Sequence, residues 1–471
     1  MKTELNAVQD TRLRFYTPTQ YNAKKTMERT KALKGSFSEQ RVAPLFAENS
    51  PVTTIKRLLG SYPELKLLTT PTQVAPTPET GTARIAHTIG EEVFHLPRSA
   101  TIEFDRTAVS LLTLGQVLHG DYARFTASQD PTTRLSEQSF QALHTHTRSV
   151  LGNLEALDAM VTYLAINDLG KTHTIKDYVE KREKKKETDH SALLVTALTK
   201  YPFLSRSFQR LPSHYKEIML KGLQANFKIA QLIQGENVPA SLEGLQNLSQ
   251  EALQFYLLHA LFDIAGAQGQ FVQNGSAVMT EQTYQRFQTA IGALGGFSQG
   301  QSPEQVYTNF LIAHSEQVGL PTKTPGDLAV ARITCMIRLA IPEEAETVAQ
   351  VFANLPDETR KLLEQELTTT GIHDNTAILL YYAPALLTNI RKAVERSGDA
   401  NALQTSTELG LQVLAHAYQQ VRETIPKRIG NGVYTADIAD LAKKASEDPQ
   451  ILLTRPFIIT SFESGSKIAI Q

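Results

Sequence analysis

The 471-residue chain has a single cysteine, Cys335, and no tryptophan. One cysteine excludes an internal disulfide and any metal site built from several thiolates. It lies in the apolar run from Ile333 to Ile337, where a buried and inert thiol is expected. Net charge is also missing: 47 basic residues face 48 acidic ones, a formal net charge of -1. No overall field therefore draws the chain to nucleic acid or to an anionic membrane, and any such binding has to come from a local patch. No apolar stretch reaches the roughly 18 uninterrupted residues that a membrane helix needs. The chain is polar from Met1 to Asp10 and carries two arginines between Thr11 and Tyr16, so a secretory signal is lacking as well. A cytoplasmic protein is the expectation, with export by a route that uses no classical signal left open.

What is present reads as helix. The length calls for more than one packed unit, and the pattern divides into an N-terminal arm and linker (1–82), a helical core (83–300) and a C-terminal helical region (301–471). Residues 1–50 have few apolar positions in register and read as a loosely docked arm. Val52 to Leu68 reads as a short helix. Pro71, Pro76, Pro78 and Gly81 break any helix between Thr69 and Thr82. Residues 83–104 are ambiguous between helix and short strands. Apolar spacing then predicts helices from Thr107 to Tyr122, from Ser136 through His144 and His146, from Leu151 to Leu164 and from Ala192 to Leu198. More follow from Tyr215 to Ile233 and from Ser249 to Ala265. Helices continue through 303–318, 327–339, 342–355, 356–367, 377–396 and 405–424, and only 432–434 and 456–470 look extended. The charge run from Lys181 to Glu187 reads as a solvated helix end.

The chain is organised around Ala165-Ile166-Asn167-Asp168-Leu169-Gly170-Lys171-Thr172-His173, where a long apolar helix ends in a polar cluster and a glycine. A carboxylate at a helix C-terminus faces the negative end of the dipole, so Asp168 needs a compensating cation, a metal or Lys171. Other candidates for chemistry are His144, His146 and His190, together with His259 and Asp263, which lie four apart and share a helix face. Imidazoles and carboxylates converging from several helices can hold a divalent transition metal.

This order resembles the HD-domain superfamily, all-helical metal-dependent phosphohydrolases in which a His on one helix is followed by a His-Asp doublet and a later Asp. Many members carry His-Asp-Ile-Gly-Lys at the end of an apolar helix, the place taken here by Asn167-Asp168-Leu169-Gly170-Lys171. The resemblance covers roughly residues 144–263. It implies that His146 (or His144) is the first ligand, Asp168 the doublet aspartate and Asp263 the closing one. His190 would be the additional histidine of two-metal members, and His259 a further polar group at the metal. Asn167 departs from the pattern, because an amide oxygen is a far weaker transition-metal ligand than imidazole.

Other phosphate and nucleophile motifs fail. Gly170-Lys171-Thr172 lacks the earlier glycine and the strand of a P-loop, the Gly292 to Gly300 cluster follows a helix, and Gly-x-Ser-x-Gly is absent. Asp374, in the doublet His373-Asp374, is expected to cap the helix that follows it. The sequence thus points to a mainly α protein with an HD-like core that hydrolyses a phosphate ester of a small molecule. A divalent metal ion would be held by His146, Asp168, His190, His259 and Asp263, with Asp168 and Lys171 as catalytic groups. The alternatives are a helical interaction protein with a structural polar cluster, and an HD-type oxygenase.

Overall fold

The computed structural model describes residues 37–47, 50–69, 85–187, 189–425, 430–461 and 465–470. The protein is mainly α, 68% helical, with one small sheet among the described residues. Helix starts follow the side-chain chemistry of the sequence. Ser136, Asn153, Thr172 and Ser249 each accept the backbone N–H three residues on, and Thr88/Glu91, Ser302/Gln305 and Thr324/Asp327 close full capping boxes.

Two hydrophobic cores share the chain. The first runs from Val42 to Leu311 and takes in Ala331 and Cys335. The second runs from Ala329 to Ile468. They meet along the Pro325–Met336 helix, whose Arg332 is fully buried. Its guanidinium donates to the carbonyls of Gly235 (2.8 Å), Glu236 (3.2 Å) and Leu367 (2.9 Å), so one side chain fastens a loop of the first core to the second. Beside it, Glu236 accepts the backbone N–H of Tyr382 at 2.6 Å.

Four expectations change. The stretch 377–396 is not one helix. Ala377–Tyr381 is a strand (β1), Tyr382 takes a left-handed turn at φ 81, and the helix begins only at Ala383, with Pro384 in its first turn. An apolar run of this length has no periodicity that separates a buried strand from a helix. β1 pairs in parallel with β2 (Val433–Asp437), which pairs in parallel with β4 (Gly465–Ile470); β3 (Phe457–Ser461) closes the sheet antiparallel to β4. Asp374 does not cap that helix but closes the turn before β1, accepting the N–H groups of Thr370 and Gly371 at 2.9 and 2.8 Å. The stretch 215–233 is likewise two helices, Ser213–Gln224 and Ile229–Ile233, broken at Asn226 with φ 45.

The fourth change concerns the arm. Residues 1–36 and the linker residues 70–84 lie outside the described residues, but 37–47 dock on the first core. Val42 and Leu45 are buried, and Arg41 donates to Asp158 at 3.0 Å while lying 4.6 Å over the Tyr62 ring. Tyr62 donates to the other oxygen of the same carboxylate at 2.7 Å. A lone basic residue in a polar stretch gives no periodic signal, so this anchor was invisible to pattern reading.

Breaking a buried ion pair leaves an uncompensated charge, so Arg41→Ala should lower unfolding free energy in urea by about 3 kcal/mol. A change below 0.5 kcal/mol, roughly the scale of a surface substitution, would show the segment to be undocked. Burial pushes the Glu236 carboxyl up to about 7. A raised carboxyl adds stability below its unfolded value and loses it as pH rises through the folded one. The melting temperature of Glu236→Gln relative to the unaltered protein should therefore climb between about pH 5 and about pH 8; a constant difference would contradict the assignment.

Candidate functional site

Three helices with almost no exposed face meet at the polar stretch: Ile102–His119, Leu154–Ile166 and Gln250–Ala265. Apolar residues run all round them, which makes them interior helices and brings whatever polar groups they carry inside. Glu103 stands in the first turn of the first helix, Asp168 directly beyond the second, and His259 and Asp263 toward the end of the third. Two glycines permit the approach. A Cβ on Gly266 would lie 2.1 Å from Ser110 Oγ and 2.4 Å from the Arg106 carbonyl, and one on Gly170 would lie 2.0 Å from the His190 carbonyl. The end of the third helix is thus pressed onto the first beside Arg106, and the Asp168–Lys171 turn onto the start of the His190–Lys200 helix.

Lys171 holds the group together. Its Nζ donates to Glu103 Oε2 at 3.0 Å and sits 2.8 Å from Asp168 Oδ1, while Arg106 donates to Glu103 Oε1 at 3.3 Å. Glu103 and Asp168 also share a hydrogen bond. Glu103 is 1% exposed, whereas the side chains of Lys171 and Arg106 are 27% and 25% exposed, so the cations form the solvent side of the cluster. Asp263 is half-buried and lies within the fields of Asp168, Arg106 and Lys171.

Three carboxyl groups face two cations, and the excess is settled by protons. Burial and the Asp168 charge push Glu103 up to about 7 and Asp263 up to about 6. Burial would raise Asp168 too, but Lys171, the hydrogen bond from Glu103 and Arg106 outweigh it and hold this carboxyl well below the usual range. The two carboxyls of the pair are thus shifted in opposite directions, Glu103 up and Asp168 down.

His259 is buried, with both ring nitrogens lacking a hydrogen-bond partner, and stacks on Tyr163 at 3.7 Å. Burial drives its pKa down to about 3, so the ring is neutral. The Tyr163 hydroxyl is likewise unpartnered.

The candidates from the sequence divide. Asp168, Lys171, His259 and Asp263 come together, and His190 joins at the edge, its pKa lowered by burial and then by Lys171. His146 lies in the middle of the Glu137–Val150 helix, where burial lowers its pKa. His144 donates from Nδ1 to the Val117 carbonyl at 2.5 Å, a structural tie. Among the described residues no three His, Cys, Asp or Glu side chains stand so as to hold a metal ion. Between Glu103 and Asp168 the place of a cation is taken by the Lys171 Nζ, 3.0 and 2.8 Å from them. Sequence reasoning missed Glu103 and Arg106. Their signal was a block of charge, Glu103-Phe104-Asp105-Arg106, opening an otherwise apolar helix.

Removing Lys171 should be felt through pH. In Lys171→Met the two facing carboxyls can both be neutral in acid but repel once ionised, so unfolding free energy should fall by about 1–3 kcal/mol near pH 8 and by clearly less near pH 5. Equal losses at both pH values would show that the ion pairs do not govern the cluster.

No curated protein and no solved structure matches the chain, so the resemblance to the HD-domain superfamily rests on the motif residues themselves. A family model described as "Family of unknown function (DUF6829)" matches residues 63–452. That span holds every residue of the cluster and most of both cores, and the chain belongs to this family.

Proposed function

We propose that the chain hydrolyses phosphate esters at this cluster by proton transfer between its own side chains. What carries the reading is the divided carboxyl pair: Glu103 keeps a proton near neutrality while Asp168, hydrogen-bonded to it, stays ionised against Lys171. Neighbouring acids whose environments push their pKa values apart are how acid and base roles are assigned at one pH. In this reading the phosphate engages the two half-exposed cations, Lys171 and Arg106, and draws them off Glu103. Asp263, half-buried and ionised above about 6, takes a proton from the attacking water. The water oxygen bonds to phosphorus, the ester P–O bond breaks, and Glu103 gives its proton to the departing oxygen. The products are an alcohol and inorganic phosphate. Lys171 and Arg106 offset the charge that grows on the phosphoryl oxygens. No step is routed through a metal, since the described residues do not assemble a ligand set.

A second reading has one observation in its favour. Glu103 is 1% exposed and both its oxygens already accept from cations, as in an ion-pair clamp that only joins the first helix to the 168–171 turn. One experiment separates the two: turnover of aryl and alkyl phosphate mono- and diesters by the purified full chain across about pH 5 to 8. The acid–base reading expects a bell-shaped rate profile, falling below about 6 as Asp263 protonates and above about 7 as Glu103 ionises. Glu103→Gln should cut kcat by roughly 100-fold or more. No turnover of any ester, or turnover untouched by Glu103→Gln, would leave the clamp.

A further inference from the structure

The charge run at Lys181 to Glu187 reads in the sequence as a solvated helix end, and the acid–base reading makes no use of it. Its side chains are not evenly mixed in space. Lys181, Arg182, Lys184, Lys185 and Lys186 are all exposed around the end of the His173–Glu183 helix, where Lys184 turns the chain at φ 54. The acids among them are engaged in bonds within the fold. Glu183 accepts from Lys200 and, at 2.7 Å, from the Tyr201 hydroxyl. Glu180 accepts the Glu187 N–H at 3.0 Å, and Glu187 accepts the Asp189 N–H at 3.1 Å. Lys181, Lys184 and Lys186 have no carboxylate partner among the described residues. A run with five basic residues and two acidic ones is therefore cationic toward solvent.

Aromatic rings stand against the same corner. Tyr178, Tyr201 and Phe203 meet edge to face, with centroids 5.4, 5.9 and 6.4 Å apart. Arg182 lies 5.5 Å over the Tyr178 ring. Phe203 is 55% exposed, more than any other large apolar side chain among the described residues. Its two partner rings are held in place by the Glu183 bond and by mutual packing, so the exposed ring is presented on a fixed base.

We propose that this corner binds single-stranded nucleic acid, with backbone phosphates on Lys181, Arg182, Lys184 and Lys186 and a base stacked on Phe203. Cations that track a backbone beside a ring that accepts any base face are what sequence-tolerant recognition of a single strand requires. A duplex keeps its base faces inside the stack and cannot use Phe203. A bilayer is the poorer fit, because one exposed ring offers little apolar area to insert. The proposal is independent of the acid–base reading, for none of its residues belongs to that cluster.

The test is fluorescence anisotropy of the full chain with labelled oligo(U), oligo(dT) and a duplex of matching length, at about 50 and about 200 mM salt, with anionic vesicles and heparin as further probes. Both single strands should bind in preference to the duplex, with a slope of log affinity on log salt of about −2 to −3 for four phosphate contacts. Phe203→Ala, a change at an exposed ring, should weaken binding roughly tenfold. The triple variant Lys181→Glu, Lys184→Glu, Lys186→Glu should abolish it, with unchanged helical content in both cases. Preference for RNA over DNA, or the reverse, would name the strand without altering the proposal. It is overturned if single strands do not bind, if duplex and heparin bind equally well and Phe203→Ala has no effect, or if only vesicles bind.

Discussion

The arrangement around Glu103 depends on one imbalance: three buried or half-buried carboxyl groups share two cations. Burial forbids a surplus of negative charge, so either a proton or another cation must make up the difference. Here protons make up the difference: burial and the Asp168 charge raise Glu103, while Lys171 and the hydrogen bond from Glu103 hold Asp168 down. The same economy explains why Lys171 and Arg106 stay where they are. Each bonds a carboxylate inside and keeps part of its surface in water, which lowers the cost of holding a charge this deep.

Much of the helical fold was legible because amphipathic spacing and caps reinforce one another. The Ser136, Ser249 and Ser302 starts are examples in which the cap residue precedes a periodic apolar stretch. The places that escaped share a cause: they are buried without a period. β1 is a short apolar run with no polar face to betray its register, and Arg41 is a single charge whose partner, Asp158, is 117 residues away. The cluster was half legible. Asp168, Lys171 and Asp263 were found because a polar group ending an apolar helix is conspicuous. Glu103 and Arg106 open a helix that starts where the ambiguous stretch ends.

The two cores give the cluster a rigid setting. Arg332 bonds three carbonyls drawn from both cores, and Glu236 adds a bond to the turn after β1. The three interior helices that bear the cluster belong wholly to the first core, so their relative placement is set by tight contacts such as that of Gly266 on the Arg106–Ser110 backbone. The aromatic and basic corner lies at the far end of the helix that begins next to Lys171, an 11-residue helix, or about 16 Å along its axis. Polar chemistry at one end and a charged, ring-bearing surface at the other thus share one short helix.

The central claim is that Glu103 and Asp168, two carboxyls in hydrogen-bond contact, divide one proton. It is tested most directly by a carbon-detected NMR titration of side-chain carboxyls in the folded chain, with Glu103→Gln and Asp168→Asn used to assign the two signals. The account predicts that the Glu103 signal moves near pH 7 while the Asp168 signal stays ionised far below the ordinary carboxylate range. Two signals that both move near about pH 4, as unperturbed carboxyls do, would contradict it.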